Sequence, residues 1–403
     1  MKLQADIHAE SCASHQVGFV TASASRTGGG LFDAMRGLAL ELPAAGFMPR
    51  VFALKDAHTE DDLPQWHGTQ VTTCDRVGPA MLGYSPALRA ALLASDAQVI
   101  HTHGIWMHPS ADVVAWHRRQ SKPYIISPHG MLDRWILNRS KLKKWGALAA
   151  YERSHLKRAA CLHALNLEEA HAIRAAGLKQ PIAVVHNGVT IPSNESPGLP
   201  SWWNAGFASR KLLLYFGRLH PKKGVENLLA AWKESVTADS VNERWNLIIG
   251  GWGDPSYIAQ LRGMVNEGID ADGVHFIGAQ FGDDKAKTYA ACDCVILPSF
   301  SEGLPMVPLE AWSFRKPVAL TRECNLSIGF SQHAAFEILN SIDGLREFLG
   351  DLCNVSDAQI EKMGGNGRSL VERHFTWNSI AEQMAGVYGW LMGTRERPVC
   401  IID

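Results

Sequence analysis

The sequence shows no excess of charge of either sign and no long apolar run. Its 39 lysines and arginines against 40 aspartates and glutamates leave a formal charge of −1, so composition gives no sign of a nucleic-acid partner. No stretch reaches the roughly 18 uninterrupted apolar residues of a membrane-spanning helix. The first 16 residues contain no apolar core of a signal peptide. These absences favour a cytoplasmic protein.

The eight cysteines are scattered along the chain, and none has the spacing of a zinc site. The closest pair, Cys292 and Cys294, is separated by one residue and does not form a CxxC motif. In a buried strand both side chains would lie on one face as small core residues. We therefore expect packed free thiols in a reducing compartment.

Short apolar runs that alternate with helical patterns are abundant. Hydrophobic residues make up 46% of the chain, which is enough for packed cores. Most runs are continuous rather than alternating, as in strands buried on both faces of a parallel sheet. They form two series, 16–23, 50–54, 97–104, 123–130, 160–165 and 182–189, then 212–219, 246–253, 274–278, 294–299 and 317–321. The pattern predicts an α/β protein with two doubly wound, Rossmann-like domains.

A segment rich in proline and serine separates the two series. Residues 191–204 contain three prolines and three serines without hydrophobic periodicity, which is typical of an interdomain connection. We predict a first domain over 1–195, a second over 205–375, and a final segment over 376–403 that contains an amphipathic helix. Functional residues are expected after the strands, in a cleft between the two domains.

Three glycines, Gly28, Gly29 and Gly30, follow the first strand at the start of a helix. Glycine lets the backbone approach a ligand, and a helix N-terminus offers N–H groups to an anion. The GxGxxG fingerprint of dinucleotide binding is not met, because Asp33 stands where the last glycine belongs. The loop therefore fits phosphate binding or a plain tight turn, and an NAD-dependent dehydrogenase is disfavoured.

Two groups of charged residues follow strands of the second series. Arg218 and Lys223 flank a turn beside a helix start, where two cations can neutralise a diphosphate without a metal. Glu302 lies in the loop after the run 294–299 and Glu310 in the next helix, where carboxylates suit recognition of a diol. Backbone N–H groups available to phosphate at that helix start belong to Gly303, Leu304 and Met306.

Histidines also follow strands of the first series. His129 comes after the run PYIISP and could donate a hydrogen bond to a sugar hydroxyl or stabilise developing charge. His103 also ends a strand, and we interpret it as an acceptor-side or structural residue. Asp270 and Asp272 have the spacing of a metal-binding Asp-x-Asp pair but precede the strand, at the wrong edge of the sheet. We predict no catalytic metal and no cofactor.

A basic segment from Arg118 to Arg158 contains eleven lysines and arginines but only two acidic residues. Within it, residues 135–151 alternate aromatic or aliphatic side chains with cations at roughly helical spacing. Such a helix suits an anionic membrane surface, although a solvated helix face has the same pattern. The residues predicted to face a membrane are Lys141, Lys143, Lys144 and Trp145.

The combination GGG, GRLHPKKG, PSFSEGLPMVPLEAW and KPV resembles the retaining glycosyltransferases of family 4, which have the GT-B fold. The resemblance covers most of the chain and is strongest over 212–321. The segments SPHGMLDRW, VHNGV and TRECNL are similar to a bacterial branch that assembles polysaccharides. Two departures are Leu304 in place of the usual Phe and Thr190 in place of the usual Asp.

The resemblance implies a role for each candidate residue. Arg218 and Lys223 would hold the donor diphosphate, with the glycine loop reaching it from the other domain, and Glu310 would bind the nucleotide ribose. The residues implied for the donor sugar are Glu302, Gly303 and His129, of which Glu302 and His129 would be catalytic. The final helix would return to the first domain.

The implied activity is transfer of a hexose-type sugar from a UDP- or GDP-type donor to a glycan acceptor, with retention and without metal. The acceptor would be lipid-linked and the enzyme peripheral at the inner face of a bacterial membrane, in exopolysaccharide or lipopolysaccharide assembly. No unclaimed carboxylate follows a strand beside His129, where a nucleophile would be expected. The family resemblance implies a front-face mechanism, in which the leaving diphosphate takes the acceptor's proton. The alternatives are a nucleotide-sugar epimerase of this architecture and a non-catalytic scaffold.

Overall fold

The computed structural model describes residues 15–132, 146–192, 197–239, 241–265 and 272–403. The chain divides into two compact units. The first contains the described residues up to 188 together with 377–403, and the second contains those within 189–376. The chain therefore leaves the first unit at Gly188–Val189, before the boundary predicted near residue 195, and returns at Thr376–Trp377.

The described part of the first unit is built on an eight-stranded sheet. Its strands are β1 (His15–Thr21), β2 (Phe47–Leu54), β3 (Gln70–Cys74), β4 (Val99–His103), β5 (Tyr124–Ser127), β6 (Cys161–Ala164), β7 (Ile182–Val184) and the last strand of the chain, β14 (Ile401–Ile402). Their order is β14-β7-β6-β5-β4-β1-β2-β3. Pairing is parallel except where β14 meets β7, with Ile401 opposite Ala183.

Both faces of this sheet are buried, which explains the continuous apolar runs. Along β2, Val51 and Ala53 belong to one apolar cluster, whereas Phe52 and Leu54 belong to another. Successive side chains of a strand point to opposite faces, so the two clusters lie on opposite sides of the sheet. Such burial is expected for parallel strands covered by crossover helices.

The second unit has a six-stranded parallel sheet in its described part. Its strands are β8 (Lys211–Leu219), β9 (Trp245–Gly253), β10 (Val274–Gly278), β11 (Cys294–Leu297), β12 (Val318–Leu320) and β13 (Ala335–Glu337). They are arranged β10-β9-β8-β11-β12-β13, so the order along the sheet reverses between β8 and β11. The predicted α/β class with two doubly wound sheets is confirmed.

Helices connect the strands in both units. Those of the first unit are Gly30–Glu41, Thr59–Asp62, Pro86–Leu93, Pro109–Gln120, the π-helical turn Leu148–Glu152, Arg153–Arg158, Leu167–Ala175 and Trp377–Leu391. Those of the second are Val225–Asp239, Val241–Arg244, Pro255–Arg262, Gly282–Ala291, Met306–Ser313, Ser327–Ser331, Ile342–Asn354 and Asp357–His374. None of the described helices is long and apolar enough to cross a membrane.

The helix Trp377–Leu391, here called the crossover helix, packs within the first unit. Its residues Ile380, Met384 and Tyr388 belong to the same apolar cluster as β1 and β2. The ring of Trp377 lies so close to Gly188 that a Cβ there would come within 2.5 Å of it. A glycine is therefore required where the chain leaves the unit.

The segment predicted as an interdomain connection is folded onto the second unit over residues 197–204. Trp202 donates its indole N–H to Thr288 Oγ1 at 2.9 Å and packs edge-on against Phe207. The two adjacent tryptophans of this segment pack against apolar side chains, and this packing holds the proline-rich stretch in a fixed position.

Candidate active site

In the second unit, two predicted residues meet at the carboxyl ends of β8 and β11. These strands are neighbours in the sheet, and the order reverses between them, so the loops after them leave in opposite directions and open a crevice. Lys223 follows β8 and forms an ion pair with Glu302, which follows β11. Glu302 Oε1 also accepts a hydrogen bond from Ser299 Oγ at 2.6 Å.

A close backbone approach brings the two loops together. Gly224 directly follows Lys223 and has a φ of +71°. A Cβ at this position would clash with the carbonyl oxygen of Pro298, at the end of β11, and with the amide of Asn340. Only glycine fits both the left-handed conformation and this contact. It thereby fixes the position of Lys223 beside Glu302.

The loop that carries Glu302 is held from a third strand end. The backbone N–H of Glu302 donates to the carbonyl of Glu323 at 2.9 Å. Asn325, in a left-handed conformation after β12, donates its amide to the carbonyl of Glu302 at 2.8 Å. Glu302 is thus fixed at both its backbone and its carboxylate. Sequence reasoning missed Asn325 and Ser299, although both lie within the motifs already noticed.

Arg218 lies near the end of β8 with its side chain exposed. Its guanidinium sits over the indole of Trp252, 5.5 Å from the ring centroid. These two residues are opposite each other in the β8–β9 pairing. The stacking restricts the guanidinium without neutralising it, so its charge stays available to an anion.

Glu310 lies in the helix Met306–Ser313 and has two partners that sequence reasoning missed. Lys285 Nζ contacts Glu310 Oε1 at 2.6 Å, and the hydroxyl of Tyr289 donates to Oε2 at 2.7 Å. Burial and the neighbouring carboxylate raise the pKa of Tyr289 well above its usual value, so its hydroxyl stays protonated. Glu310 and Glu302 therefore have separate partners, Lys285 and Tyr289 for the first and Lys223 and Ser299 for the second.

The helix that carries Glu310 begins without a capping side chain in the described structure. Pro305 occupies the position before its first residue, Met306. Leu304 is buried and Gly303 is exposed, so the loop turns from solvent into the core at this point. First-turn N–H groups have no partner inside their own helix, and they are suited to an anion.

In the first unit, His103 and His129 are brought together at the ends of β4 and β5. Nδ1 of His103 lies 3.2 Å from Nε2 of His129, and the rings are stacked. His129 has a φ of +50°, an uncommon backbone conformation for a residue other than glycine. Burial lowers the pKa of His129 to about 3 and that of His103 well below its usual value. Both rings are therefore neutral near pH 7.

A directed chain of hydrogen bonds fixes the neighbouring buried rings. Burial lowers the pKa of His163 to about 4, and its Nε2 donates to the carbonyl of Val185 at 2.8 Å. Nδ1 of the neutral ring must then accept from Ser127 Oγ, at 2.5 Å. Ser127 in turn accepts from His101 Nε2 at 2.6 Å, and His101 Nδ1 accepts from the Tyr388 hydroxyl at 2.7 Å. The crossover helix is thus tied to the strand that carries His103.

A cavity of about 340 Å³ opens at the carboxyl ends of β1 and β4, where the strand order of the first sheet reverses. Its lining includes His103, Gly28 at the start of the glycine loop, a polar group of Ser23, Thr27 and Asp56, and an apolar group of Ile105, Met107 and Met131. The size and mixed lining are typical of a small-molecule site.

Asp56 is the fixed negative charge of this cavity. Ser23 Oγ and Ser25 Oγ each donate to its carboxylate at 2.7 Å, and the N–H of His58 donates at 3.0 Å. Partial burial acts to raise the pKa of Asp56, but these hydrogen bonds outweigh it and lower the pKa. The sequence carried no motif that distinguished Asp56 from other loop aspartates.

The glycine loop lies beside the same cavity. Gly29 has a φ of +56°, and the helix begins at Gly30. A Cβ at either residue would meet open space, so packing within the first unit does not require a glycine at Gly30.

Some predicted residues lie outside the described part of the chain. These are Asp270 and the membrane-facing set Lys141, Lys143, Lys144 and Trp145. Among the described residues, no group of three or more histidines, cysteines or carboxylates is arranged to hold a metal ion. Metal independence and the membrane surface both stay predictions.

Comparison with known domain families assigns both units. Residues 29–188 match the Glycosyl transferase 4-like domain, and residues 210–331 match Glycosyl transferases group 1. Together the two matches include Gly29, Gly30, His103 and His129 of the first unit, and Arg218, Lys223, Glu302 and Glu310 of the second.

Curated relatives are also glycosyltransferases. D-inositol 3-phosphate glycosyltransferase of Corynebacterium efficiens is 26% identical over 184 residues, covering 44% of this chain and 42% of the relative. The match thus spans under half the length of this relative. A glycosyltransferase of unassigned specificity from Methanocaldococcus jannaschii is 25% identical over 298 residues, 72% of this chain and 74% of its own.

Solved structures resemble the chain over nearly its whole length. The Anabaena protein HepE, solved with UDP and glucose, has a TM-score of 0.70 at 18% identity and covers 93% of this chain and 100% of its own. Sucrose-phosphate synthase from Thermosynechococcus elongatus has a TM-score of 0.72 at 21% identity, covering 94% and 99%. WaaG, a glycosyltransferase involved in lipopolysaccharide biosynthesis, has a TM-score of 0.64 at 17% identity, covering 92% and 99%.

These neighbours share a fold, and both domain families are those of glycosyltransferases. The motifs around Arg218, Lys223, Glu302 and Glu310 lie within the matched residues. The chain belongs to the family 4 type of glycosyltransferases and has their two-domain GT-B fold.

Proposed function

We propose that this glycosyltransferase moves a hexose-type sugar from a nucleotide diphosphate sugar to a lipid-linked glycan acceptor, with retention and without a metal ion. The observation that carries the proposal is the crevice between the ends of β8 and β11. There a lysine, an exposed arginine, an uncapped helix start and two carboxylates lie on one sheet edge. This set matches the parts of a nucleotide diphosphate sugar, which are two phosphates, a ribose and a hexose.

The diphosphate suits the cationic side of the crevice. Arg218 can bind a phosphate with two N–H groups, and charge-assisted hydrogen bonds of this kind are roughly twice as strong as neutral ones. Lys223 and the N–H groups at the start of the helix Met306–Ser313 add positive potential. HepE has been crystallised with UDP and with UDP-glucose, which supports a nucleotide sugar as the donor class.

The two glutamates suit the two polyols of the donor. A carboxylate can accept hydrogen bonds from both hydroxyls of a diol. We assign the ribose to Glu310 and the hexose to Glu302, together with Gly303. Glu302 is held rigidly by Lys223, Ser299 and Asn325, and a rigid acceptor of hydrogen bonds selects the orientation of a sugar hydroxyl.

The acceptor is assigned to the cavity of the first unit. Its polar group, which includes Asp56, accepts hydrogen bonds from sugar hydroxyls, and the side chains of Met107 and Met131 contact the apolar face of a ring. The lipid link and a position at the inner face of a bacterial membrane rest on the basic segment 118–158. The fold shared with WaaG supports a role in polysaccharide or lipopolysaccharide assembly.

In the proposed reaction, the bond between the anomeric carbon and the phosphate oxygen breaks, and the acceptor oxygen bonds to the same face of that carbon. The leaving diphosphate takes the acceptor's proton. His129 acts as a neutral hydrogen-bond partner of the sugar and not as a general acid, because a pKa of about 3 leaves its ring uncharged at pH 7, with one N–H still present.

The proposal is tested by calorimetric titration of EDTA-treated protein with UDP, GDP, ADP and their sugar conjugates. We expect micromolar binding of the nucleotides of one base, and weaker binding of the same nucleotides by Arg218→Ala. Binding that appears only after a divalent metal is added would contradict metal independence. Absence of binding from folded protein would favour a scaffold.

Turnover separates the remaining alternatives. Incubation with the bound donor and a glycan acceptor, followed by NMR of the anomeric proton, reports retention or inversion. A transferase releases free nucleotide diphosphate when an acceptor is present. Conversion of the donor sugar to its epimer without any acceptor would identify an epimerase instead.

Membrane contact is tested with anionic liposomes. Replacing Lys141, Lys143 and Lys144 by glutamate should reduce co-sedimentation, because the attraction of each cation to the surface is worth about 1 kcal/mol. A control that replaces Lys233 and Lys362, exposed on helices of the second unit, should leave it unchanged. Equal sedimentation of all three proteins would remove the membrane assignment.

A further inference from the structure

Glu310 is held from one side by a single helix. Lys285 and Tyr289 both belong to the helix Gly282–Ala291 and are four residues apart, so they lie on one face of it. Each contacts a different carboxylate oxygen, Lys285 at Oε1 and Tyr289 at Oε2. The two contacts therefore determine both the position and the rotation of the carboxylate plane.

Tyr289 is itself immobilised. Its side chain is buried, it stacks on Phe314 with a centroid distance of 5.7 Å, and it meets Phe216 edge-on at 5.4 Å. A ring packed between two aromatic neighbours cannot swing away from its hydrogen-bond partner. Its hydroxyl consequently acts as a fixed donor to Glu310.

These contacts leave one part of the carboxylate open. An ionised carboxylate has about four acceptor positions, and Lys285 and Tyr289 occupy one on each oxygen. The Glu310 side chain is 19% exposed, so it is not sealed from solvent, and the remaining positions are free of the two contacts described. One free acceptor position on each oxygen, in a fixed plane, matches two hydroxyls on adjacent carbons.

Charge gives Lys285 a second effect. An unpaired carboxylate in the crevice would repel an anionic diphosphate. The same pairing occurs at the other glutamate, where Lys223 contacts Glu302. Each carboxylate of the crevice therefore carries its own lysine.

We propose that Lys285 and Tyr289 are positioning residues that set Glu310 for the 2′,3′-diol of a ribonucleotide, and that Lys285 also compensates the charge of Glu310 toward the diphosphate. This inference rests on the proposed function, because it takes the ligand to be a nucleotide diphosphate. It adds two residues that determine preference for ribose over 2′-deoxyribose.

The test compares equilibrium affinities for UDP and 2′-deoxy-UDP, with GDP and 2′-deoxy-GDP as the second pair. For the base that binds, the original protein should prefer the ribonucleotide by about tenfold, as expected for loss of one charge-assisted hydrogen bond. Tyr289→Phe and Lys285→Met should reduce this preference to less than about threefold. Lys285→Arg, which keeps a cationic donor, should restore most of it.

Lys287→Met is the matched control, because it removes the same charge from the same helix. Lys287 is two residues from Lys285 and therefore lies on a different face of that helix. This variant should keep the original preference. In a Glu310→Ala background, Lys285→Met should not change the ribose preference further, because Lys285 acts on the diol through Glu310. Thermal melting of each variant verifies folding.

The outcomes separate this inference from the proposed function. Absence of binding of every nucleotide diphosphate by the original protein would overturn both. Tight binding with an unchanged ribose preference in Tyr289→Phe and Lys285→Met would overturn the positioning role alone. A weaker affinity for UDP and for uridine by the same factor in Lys285→Met would overturn the charge compensation.

Discussion

At the scale of single residues, the cations of the second-unit crevice differ in whether their positive charge is already paired with a carboxylate of the protein. Lys223 is paired with Glu302, whereas no carboxylate in the described part of the chain pairs with Arg218. Arg218 instead lies over Trp252 and is exposed, and stacking on an aromatic ring does not use the hydrogen-bond donors of a guanidinium. From the sequence, both cations have the same predicted role at a diphosphate. In the structure, only Lys223 is paired with a carboxylate.

Arg218→Ala should therefore weaken UDP or GDP binding, because loss of charge-assisted contacts to a phosphate is worth about 1.5–3 kcal/mol. Affinity for the corresponding nucleoside, which has no phosphate, should change less than about twofold in Arg218→Ala. Calorimetry with nucleotide and nucleoside checks this. An equal loss for both ligands would mean that Arg218 serves the fold or the base.

His129 leads to a prediction about pH. Burial lowers its pKa to about 3, so its ring loses no proton between pH 5 and 8. The pH profile of kcat should thus show no transition in that range that His129→Asn removes. A transition near pH 6.5 that disappears in this variant would mean that the ring is protonated in the complex.

At the scale of secondary-structure elements, the sequence predicted the crossover helix but not the individual contacts that it makes. Its amphipathic pattern was visible, and the family resemblance implied a return to the first domain. The close contact of Trp377 with Gly188 was not visible, because those residues are far apart in the chain. The NGV motif therefore has a packing reason as well as its place in the family pattern.

Gly188→Ala should destabilise the first unit by about 1–3 kcal/mol, since the added methyl meets the ring and backbone of Trp377. Gly350→Ala is a control that should instead increase the free energy of unfolding. Gly350 lies within the helix Ile342–Asn354 with open space around it, and alanine is the better helix former there by about 1 kcal/mol. Denaturant unfolding of both variants checks the pair. A neutral Gly188→Ala would show that Trp377 can move aside.

At the scale of the whole molecule, the two units differ in their content of buried histidine. In the first unit, burial lowers the pKa values of His101, His103, His129 and His163. These rings are neutral when folded, whereas an unfolded histidine gains a proton below about pH 6.5. The unfolded state then binds more protons, so stability falls as the pH decreases from about 6.5 toward 4.

We expect the unfolding free energy of the first unit to fall by about 1.4 kcal/mol per pH unit for each such histidine in that range. His103→Asn should reduce this slope by the contribution of one histidine. The side chain of His171 is 72% exposed, and His171→Asn should leave the slope unchanged. Denaturant unfolding at pH 7, 6 and 5 measures the slopes. Equal slopes for all three proteins would contradict the neutral state of the buried rings.

The sequence by itself determined the elements and the family. Continuous apolar runs between helical patterns indicated parallel strands, because burial on both faces of a sheet excludes polar residues from them. Lys223, Glu302 and Glu310 were found because the carboxyl ends of parallel strands meet at one edge, and their motifs mark those ends.

Only the tertiary structure decided which side chains meet. The pairing of Glu310 with Lys285 and Tyr289, the serines on Asp56 and the tie between His101 and Tyr388 all join residues distant in the chain. Such contacts depend on rotamers and on packing between elements, which a local pattern does not encode. The same holds for the histidine pKa values, since burial is a property of the folded unit and not of the residue.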